Sequence, residues 1–198
     1  MITLRRTGIA AGIGCALLAC AAAHARAQCL EWNVLSLEVT FEIRNAGLPV
    51  HGSFATADAD VCFDPASPET GRISGWLDPS SIETGIAMRD RHLAKRGYFD
   101  VGRFPRIEMR STRVGGASGQ FTATFLLRIR DVEGEVEVPF SFVAMEETAE
   151  LAGSLAIDRL DYGVGSKSLI LSDSVIVHAA LKLAPAAARS PSRGNRLR

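Results

Sequence analysis

Five stretches of this chain place an apolar residue at every second position, and that period restricts them to strands with one buried face. The first is Leu35, Leu37, Val39, Phe41 and Ile43, with Ser36, Glu38, Thr40 and Glu42 between them. The pattern returns at Phe121, Ala123, Phe125, Leu127 and Ile129, and then at Val136, Val138, Phe140 and Phe142. Leu151, Gly153, Leu155 and Ile157 form the fourth stretch, and Val175, Val177, Ala179, Leu181 and Leu183 the fifth. Shorter candidates at Val50 to Phe63, Ile73 to Leu77 and Arg106 to Thr112 bring the expected total to about eight strands. Turn-forming runs such as Asn45-Ala46-Gly47 and Gly115-Gly116-Ala117-Ser118-Gly119 separate them.

One segment breaks the rule. From Ile86 to Arg96 the apolar residues fall at helix-like intervals, with Thr84 placed to cap a helix and Gly97 to stop it. A short helix is therefore expected between the third and fourth strands. With no other helix to cover the apolar face, the sheet must close on itself or fold as a sandwich. Eight antiparallel strands closed as a barrel leave an interior just wide enough for side chains or one slim ligand.

The first 27 residues read as an export signal. Arg5 and Arg6 precede an apolar run from Gly8 to Ala23, and Ala25-Arg26-Ala27 supplies a small-x-small cleavage pattern before Gln28. The apolar run is shorter than the roughly 20 residues needed to span a bilayer. A periplasmic location follows as an expectation, with residues 28–184 as the folded domain and 185–198 as a disordered basic tail. Leu17-Leu18-Ala19-Cys20 offers an alternative lipoprotein cleavage site, which would anchor the same domain through Cys20.

Cleavage at Gln28 leaves only Cys29 and Cys62 of the four cysteines. An even pair in an oxidising compartment is expected to form a disulfide, the alternative being two separate buried thiols. Cleavage also removes three arginines and no acid, leaving 19 basic against 22 acidic residues. That balance argues against a nucleic-acid groove.

Sequence signatures of catalysis are missing. There is no G-x-S-x-G elbow, no phosphate-binding glycine loop, no H-E-x-x-H and no G-x-G-x-x-G. His51, His92 and His178 are too scattered along the chain to suggest a ligand set by spacing, so no metal is expected. His178 falls on the polar phase of the last strand and is expected on the surface. The densest charged group is Arg89-Asp90-Arg91-His92 with Lys95 and Arg96, which reads either as a solvated helix face or as cations awaiting an anionic group.

Several runs together resemble one family. Val39-Thr40-Phe41-Glu42-Ile43-Arg44 leads to Val50-His51-Gly52-Ser53-Phe54, followed by Ser80-Ser81-Ile82-Glu83-Thr84-Gly85 and Met88-Arg89-Asp90-Arg91-His92-Leu93. Tyr98-Phe99-Asp100-Val101, Phe104-Pro105-Arg106-Ile107, Ile157-Asp158-Arg159 and Asp161-Tyr162-Gly163-Val164-Gly165 continue the series, and Ser172-Asp173 stands before the last strand. In order and spacing these runs, across about residues 32 to 183, resemble the YceI-like, lipocalin-like polyisoprenoid-binding proteins of bacteria. Asp131-Val132-Glu133-Gly134-Glu135 departs from the Gly-x-Thr-basic-Pro turn of that family.

The resemblance implies an all-β, lipocalin-like eight-stranded antiparallel barrel with one short helix and an elongated apolar cavity. It implies a long isoprenoid or other lipid as the bound partner, of polyprenyl phosphate or quinone type; with the catalytic signatures missing, neither catalysis nor a cofactor is expected. The apolar phases of the strands supply the expected lining: Val39, Phe41, Ile43, Phe54, Leu77 and Ile107 from the first half, and Phe121, Phe125, Leu127, Val138, Phe140, Leu155 and Ile157 from the second. Arg89 and His92 are the expected mouth residues. Alternation identifies a face only, so a filled core serving as a ligandless interaction module is the competing reading.

Overall fold

The computed structural model describes residues 29–186, so the expected signal segment and the tail from residue 187 lie outside the described residues. The strands are β1 (Glu31–Asn45), β2 (Leu48–Phe54), β3 (Ala57–Cys62), β4 (Arg72–Leu77) and β5 (Ile82–Glu83), followed by the helix α1 (Ala87–Leu93). Then come β6 (Ile107–Ala117), β7 (Gln120–Ile129), β8 (Val132–Ala144), β9 (Ala149–Asp158) and β10 (Leu171–Pro185). No helix among the described residues is long and apolar enough to cross a membrane.

The circuit runs β10, β9, β8, β7, β6, β4, β3, β1 and closes where β1 pairs with β10. That seam is long, extending from Trp32↔Pro185 to Asn45↔Leu171. β2 and β3 share one place beside β1. β2 pairs with its upper half from Val39↔Phe54 to Asn45↔Leu48, and β3 with its foot at Glu31↔Cys62 and Trp32↔Val61. The result is a closed barrel of eight antiparallel strand positions with α1 between the third and fourth.

Three sequence expectations are corrected. The strand expected over Val50 to Phe63 is interrupted at Ala55 and Thr56, because β2 swings out to pair with β5 while β3 stays on β4. Leu35 is exposed rather than inward. A bulge between Val34 and Ser36 inserts one extra residue, so Trp32 and Val34 point inward below it and Leu37, Val39 and Phe41 above it. The helix covers only Ala87–Leu93, its N-cap is Ile86 without a side-chain bond, and Thr84 is engaged elsewhere.

The lower end of the barrel is solid. Phe63 is fully buried and meets Phe121, Phe140 and Phe142 at ring separations of 4.9, 5.5 and 5.1 Å. Trp32 packs edge-on to Phe142 at 5.4 Å and donates its indole N–H to the Phe63 carbonyl at 2.9 Å. Edge-to-face rings of this kind are favourable beyond the area they bury. Cys29 is joined to Cys62 by a disulfide beside this cluster, and Phe63 N–H donates to Leu30 O at 2.7 Å.

The bridge spans 33 residues, and constraining the unfolded chain to that degree stabilises by about 3–4 kcal/mol on the chain-entropy account. Replacing both cysteines by serine is therefore expected to lower the unfolding free energy in urea by about 3 kcal/mol. An unchanged midpoint under non-reducing conditions would show that the bridge does not form.

Candidate functional site

Above the aromatic floor the barrel is hollow. A cavity of about 480 Å³ runs up its interior, within the size range of about 300–1,000 Å³ common for small-molecule sites. Along β1 its wall extends from Leu37 to Asn45, about 27 Å of strand at ~3.4 Å per residue. At a strand tilt of about 40° this is roughly 20 Å along the barrel axis. The void is thus long and narrow, and its upper lining reaches the exposed residues Asn45 and His92, which places the mouth opposite the floor.

The void exists because facing positions at mid-height carry small side chains. Ala59 pairs with Gly75, and Ala179 pairs with Gly153, all four on the lining. Phe140 of β8 stands directly opposite Gly153, and Leu181, two residues from Ala179 along β10, borders the space toward the floor. A Cβ on Gly153 would come within 3.1 Å of the Pro139 carbonyl and 3.2 Å of Phe140, so glycine is required there by close approach.

Twelve of the thirteen expected lining residues border the cavity. Val39, Phe41 and Ile43 of β1 stand beside Phe54 of β2, with Phe41 and Phe54 rings 5.6 Å apart. Leu77 of β4 pairs with Ile107 of β6 on the adjoining wall. Phe125 and Leu127 of β7, Val138 and Phe140 of β8, and Leu155 and Ile157 of β9 complete the set. Phe121 does not reach the cavity. It lies four residues from Phe125 along β7, opposite Phe140 and Gly116, where its ring stacks on Phe140 and meets Phe63 in the floor.

Arg89 and His92 both border the mouth, although the helix presents them through an unexpected network. Arg89 Nε donates to the Thr84 hydroxyl at 2.7 Å and Nη2 to the Thr84 carbonyl at 2.6 Å. The Thr84 hydroxyl in turn bonds the Asp90 carboxylate, which also accepts from the Thr84 N–H at 3.1 Å. The helix thus hangs from Thr84 rather than being capped by it. Among the described residues the ion pairs are His51–Glu42, Arg128–Glu108, Arg159–Asp173 and Lys167–Asp173, leaving Arg89 without a carboxylate partner. The His92 ring rests edge-on against Tyr98 at 5.0 Å.

Alternation gave no access to two further parts of the site. Tyr98 and Phe99, from the turns after α1, border the cavity beside β2, and Phe99 meets Phe54 at 6.3 Å. Arg159 is 5% exposed and lines the mouth from the end of β9. Its guanidinium donates to the carbonyls of Ser172, Val164 and Ser166, each at 2.9 Å, and to Asp173 at 3.1 Å. A side chain on Gly165 would collide with this guanidinium at 2.7 Å, and Gly165 adopts φ +76°. An arginine closely followed by Gly163 and Gly165 is the local signal of such a pinned loop.

Tyr162 closes the same loop over Gly134, and its hydroxyl is pushed above the usual tyrosine range by burial first and by Asp161 second. A group that holds its proton more tightly when folded contributes stability below its unfolded value of about 10 and loses it as pH rises beyond that. Thermal scans above pH ~10 should therefore show a falling melting temperature, and Tyr162→Phe should fall less steeply. Equal slopes for the two proteins would exclude this account.

Filling the void tests whether it is a binding space. Ala179→Phe places a ring in the hollow rather than in packed core, so the fold should tolerate it. Its affinity for an apolar fluorescent probe should drop by about tenfold or more, with the melting temperature little changed. Unaltered probe binding would place the probe outside the barrel.

Comparison with known proteins gives a consistent picture. Residues 31–183 match the YceI-like domain model. A UPF0312 protein of Pseudomonas fluorescens is 28% identical over 173 residues, spanning 81% of this chain and 87% of its own length. A UPF0312 protein of Pseudomonas syringae pv. syringae is 31% identical over 121 residues, and this match spans 61% of the present chain and 62% of that relative. The crystal structure of Burkholderia cenocepacia BcnA superposes with a TM-score of 0.71 at 25% identity, over 74% of this chain and 95% of that one. A polyisoprenoid binding domain from Saccharophagus degradans, implicated in plant cell wall breakdown, has the same fold, with a TM-score of 0.64 at 13% identity over 81% and 100% of the two chains.

Proposed function

The chain belongs to the YceI-like domain family, and from that premise we propose that it is an exported lipid carrier, holding a long isoprenoid chain in its barrel without chemical change. The observation that carries this reading is the cavity itself, apolar along its length, sealed at the aromatic floor and open at one end. A narrow slot with a mouth opposite a closed floor suits a linear apolar chain entered end-first. The shared fold of a polyisoprenoid binding domain supports the isoprenoid class over a bulkier lipid.

The energetics fit a long chain and disfavour a short one. Burying about 400 Å² of apolar ligand surface is worth on the order of 10 kcal/mol, against an association cost of about 4–15 kcal/mol. The affinity therefore comes from length. A chain longer than the slot leaves its end group at the mouth, where Arg89 is free of carboxylate partners among the described residues and His92 is exposed. A phosphate or a quinone oxygen there meets a donor of matching chemistry. The periplasm is the proposed compartment, on the strength of the leading segment and the disulfide.

Mass spectrometry of an organic extract of the natively expressed protein should detect a co-purifying isoprenoid in near-stoichiometric amount. A protein that extracts as lipid-free, and that takes up no added polyprenol, is a ligandless module and not a carrier.

A further inference from the structure

The open end of the barrel carries large apolar side chains that no other described residue covers. Leu169 is 105% exposed, Met88 74%, Leu48 70% and Ile170 63%. The fold brings three of these together. Leu48 follows the β1–β2 turn, whose Ala46 N–H donates to Ile170 O at 2.6 Å, and Asn45 pairs with Leu171 across the seam. Met88 stands on α1, whose Arg89 and His92 border the same mouth. Single exposed apolar residues are ordinary, whereas several gathered round a cavity opening mark an interaction surface.

The charge at this end is uneven. The connection from Thr84 to Arg106 contains Arg89, Arg91, Lys95, Arg96, Arg103 and Arg106 against Asp90 and Asp100, a surplus of four positive charges. At the opposite end the β8–β9 turn reads Met145-Glu146-Glu147. Apolar tips beside basic side chains are the composition that seats a protein on an anionic lipid surface, the tips entering the headgroup boundary and the cations meeting phosphates.

We propose that the open end of the barrel docks on an anionic phospholipid bilayer, with Leu48, Met88, Leu169 and Ile170 inserted and the basic connection flanking them. This goes beyond the carrier reading and rests on it only in taking the mouth as the portal. In that pose the cavity opens directly onto the acyl region, so an apolar chain passes from bilayer to barrel without crossing water. The arrangement favours a membrane over a protein partner because the apolar tips come from three different elements around an opening and stand beside a basic connection.

The test is vesicle flotation of the mature protein with phosphatidylcholine vesicles, with and without a minor fraction of phosphatidylglycerol. Wild-type protein should float with the phosphatidylglycerol-containing vesicles, less so at high salt. The double variant Leu169→Asp, Ile170→Asp should lose about tenfold or more of that binding. Ile176→Asp, an exposed site on the outer wall of β10, should retain it. Wild-type protein that floats with neither vesicle, or a double variant that floats as well as wild type, overturns the proposal. So does an effect of the double variant confined to self-association in sedimentation. An organic extract of the double variant separates the two readings. Lipid-loaded wild-type protein that never floats removes the docking and leaves the carrier, and lipid-free protein that floats does the reverse.

Discussion

Pairing of the first strand with the last is the interaction on which the rest of the molecule depends. Without it the sheet would expose an unpaired row of backbone groups along β1 and another along β10, and its apolar face would lie open to water. With the seam from Trp32↔Pro185 to Asn45↔Leu171 in place, every strand of the circuit has two neighbours and the inward side chains are enclosed. The bulge at Leu35 adjusts this seam, turning Trp32 toward the floor while keeping Val39, Phe41 and Ile43 toward the cavity, and a second shift follows between Ile43 and Asn45. One extra residue thereby lets the same strand serve both halves of the interior.

What happens inside the closed sheet is decided by side-chain volume. Phenylalanines 63, 121, 140 and 142 interlock at the lower end and leave no passage there. Beside and beyond Phe140, the inward phase is occupied by Ala59, Gly75, Gly153 and Ala179, and the strand separation fixed by hydrogen bonding does not shrink to meet them. The cavity is therefore a consequence of rigid strand spacing combined with local loss of side-chain bulk. Its dead end follows from the same arithmetic of volume.

The open end is built by polar chemistry of a different kind. Arg159 replaces a hydrophobic anchor with four donated hydrogen bonds, three of them to carbonyls that an irregular loop would otherwise leave unpaired. Thr84 does similar work for the helical connection through Arg89 and Asp90. These networks hold the mouth in shape while leaving it open, which an apolar cap could not do. They also account for the absence of regular structure there: backbone groups are satisfied by side chains instead of by a ladder.

Alternation in the sequence determined the strands and their inward face, because side chains in a strand change face at every residue, while closure as a barrel and not a sandwich was what the family resemblance implied. It named the strands and the wall, from Val39 and Phe41 through Leu155 and Ile157. It misplaced Leu35, since a bulge changes register without changing composition. It could not separate Phe121 from Phe125, two positions of the same phase on the same strand, one in the floor and the other on the cavity. That distinction depends on what stands opposite each ring across the barrel, as do the contribution of Tyr98 and Phe99 to the wall and the burial of Arg159 at the mouth. Periodicity is a property of one strand, whereas a void is a property of many strands at one height, and only the closed structure brings those heights into line.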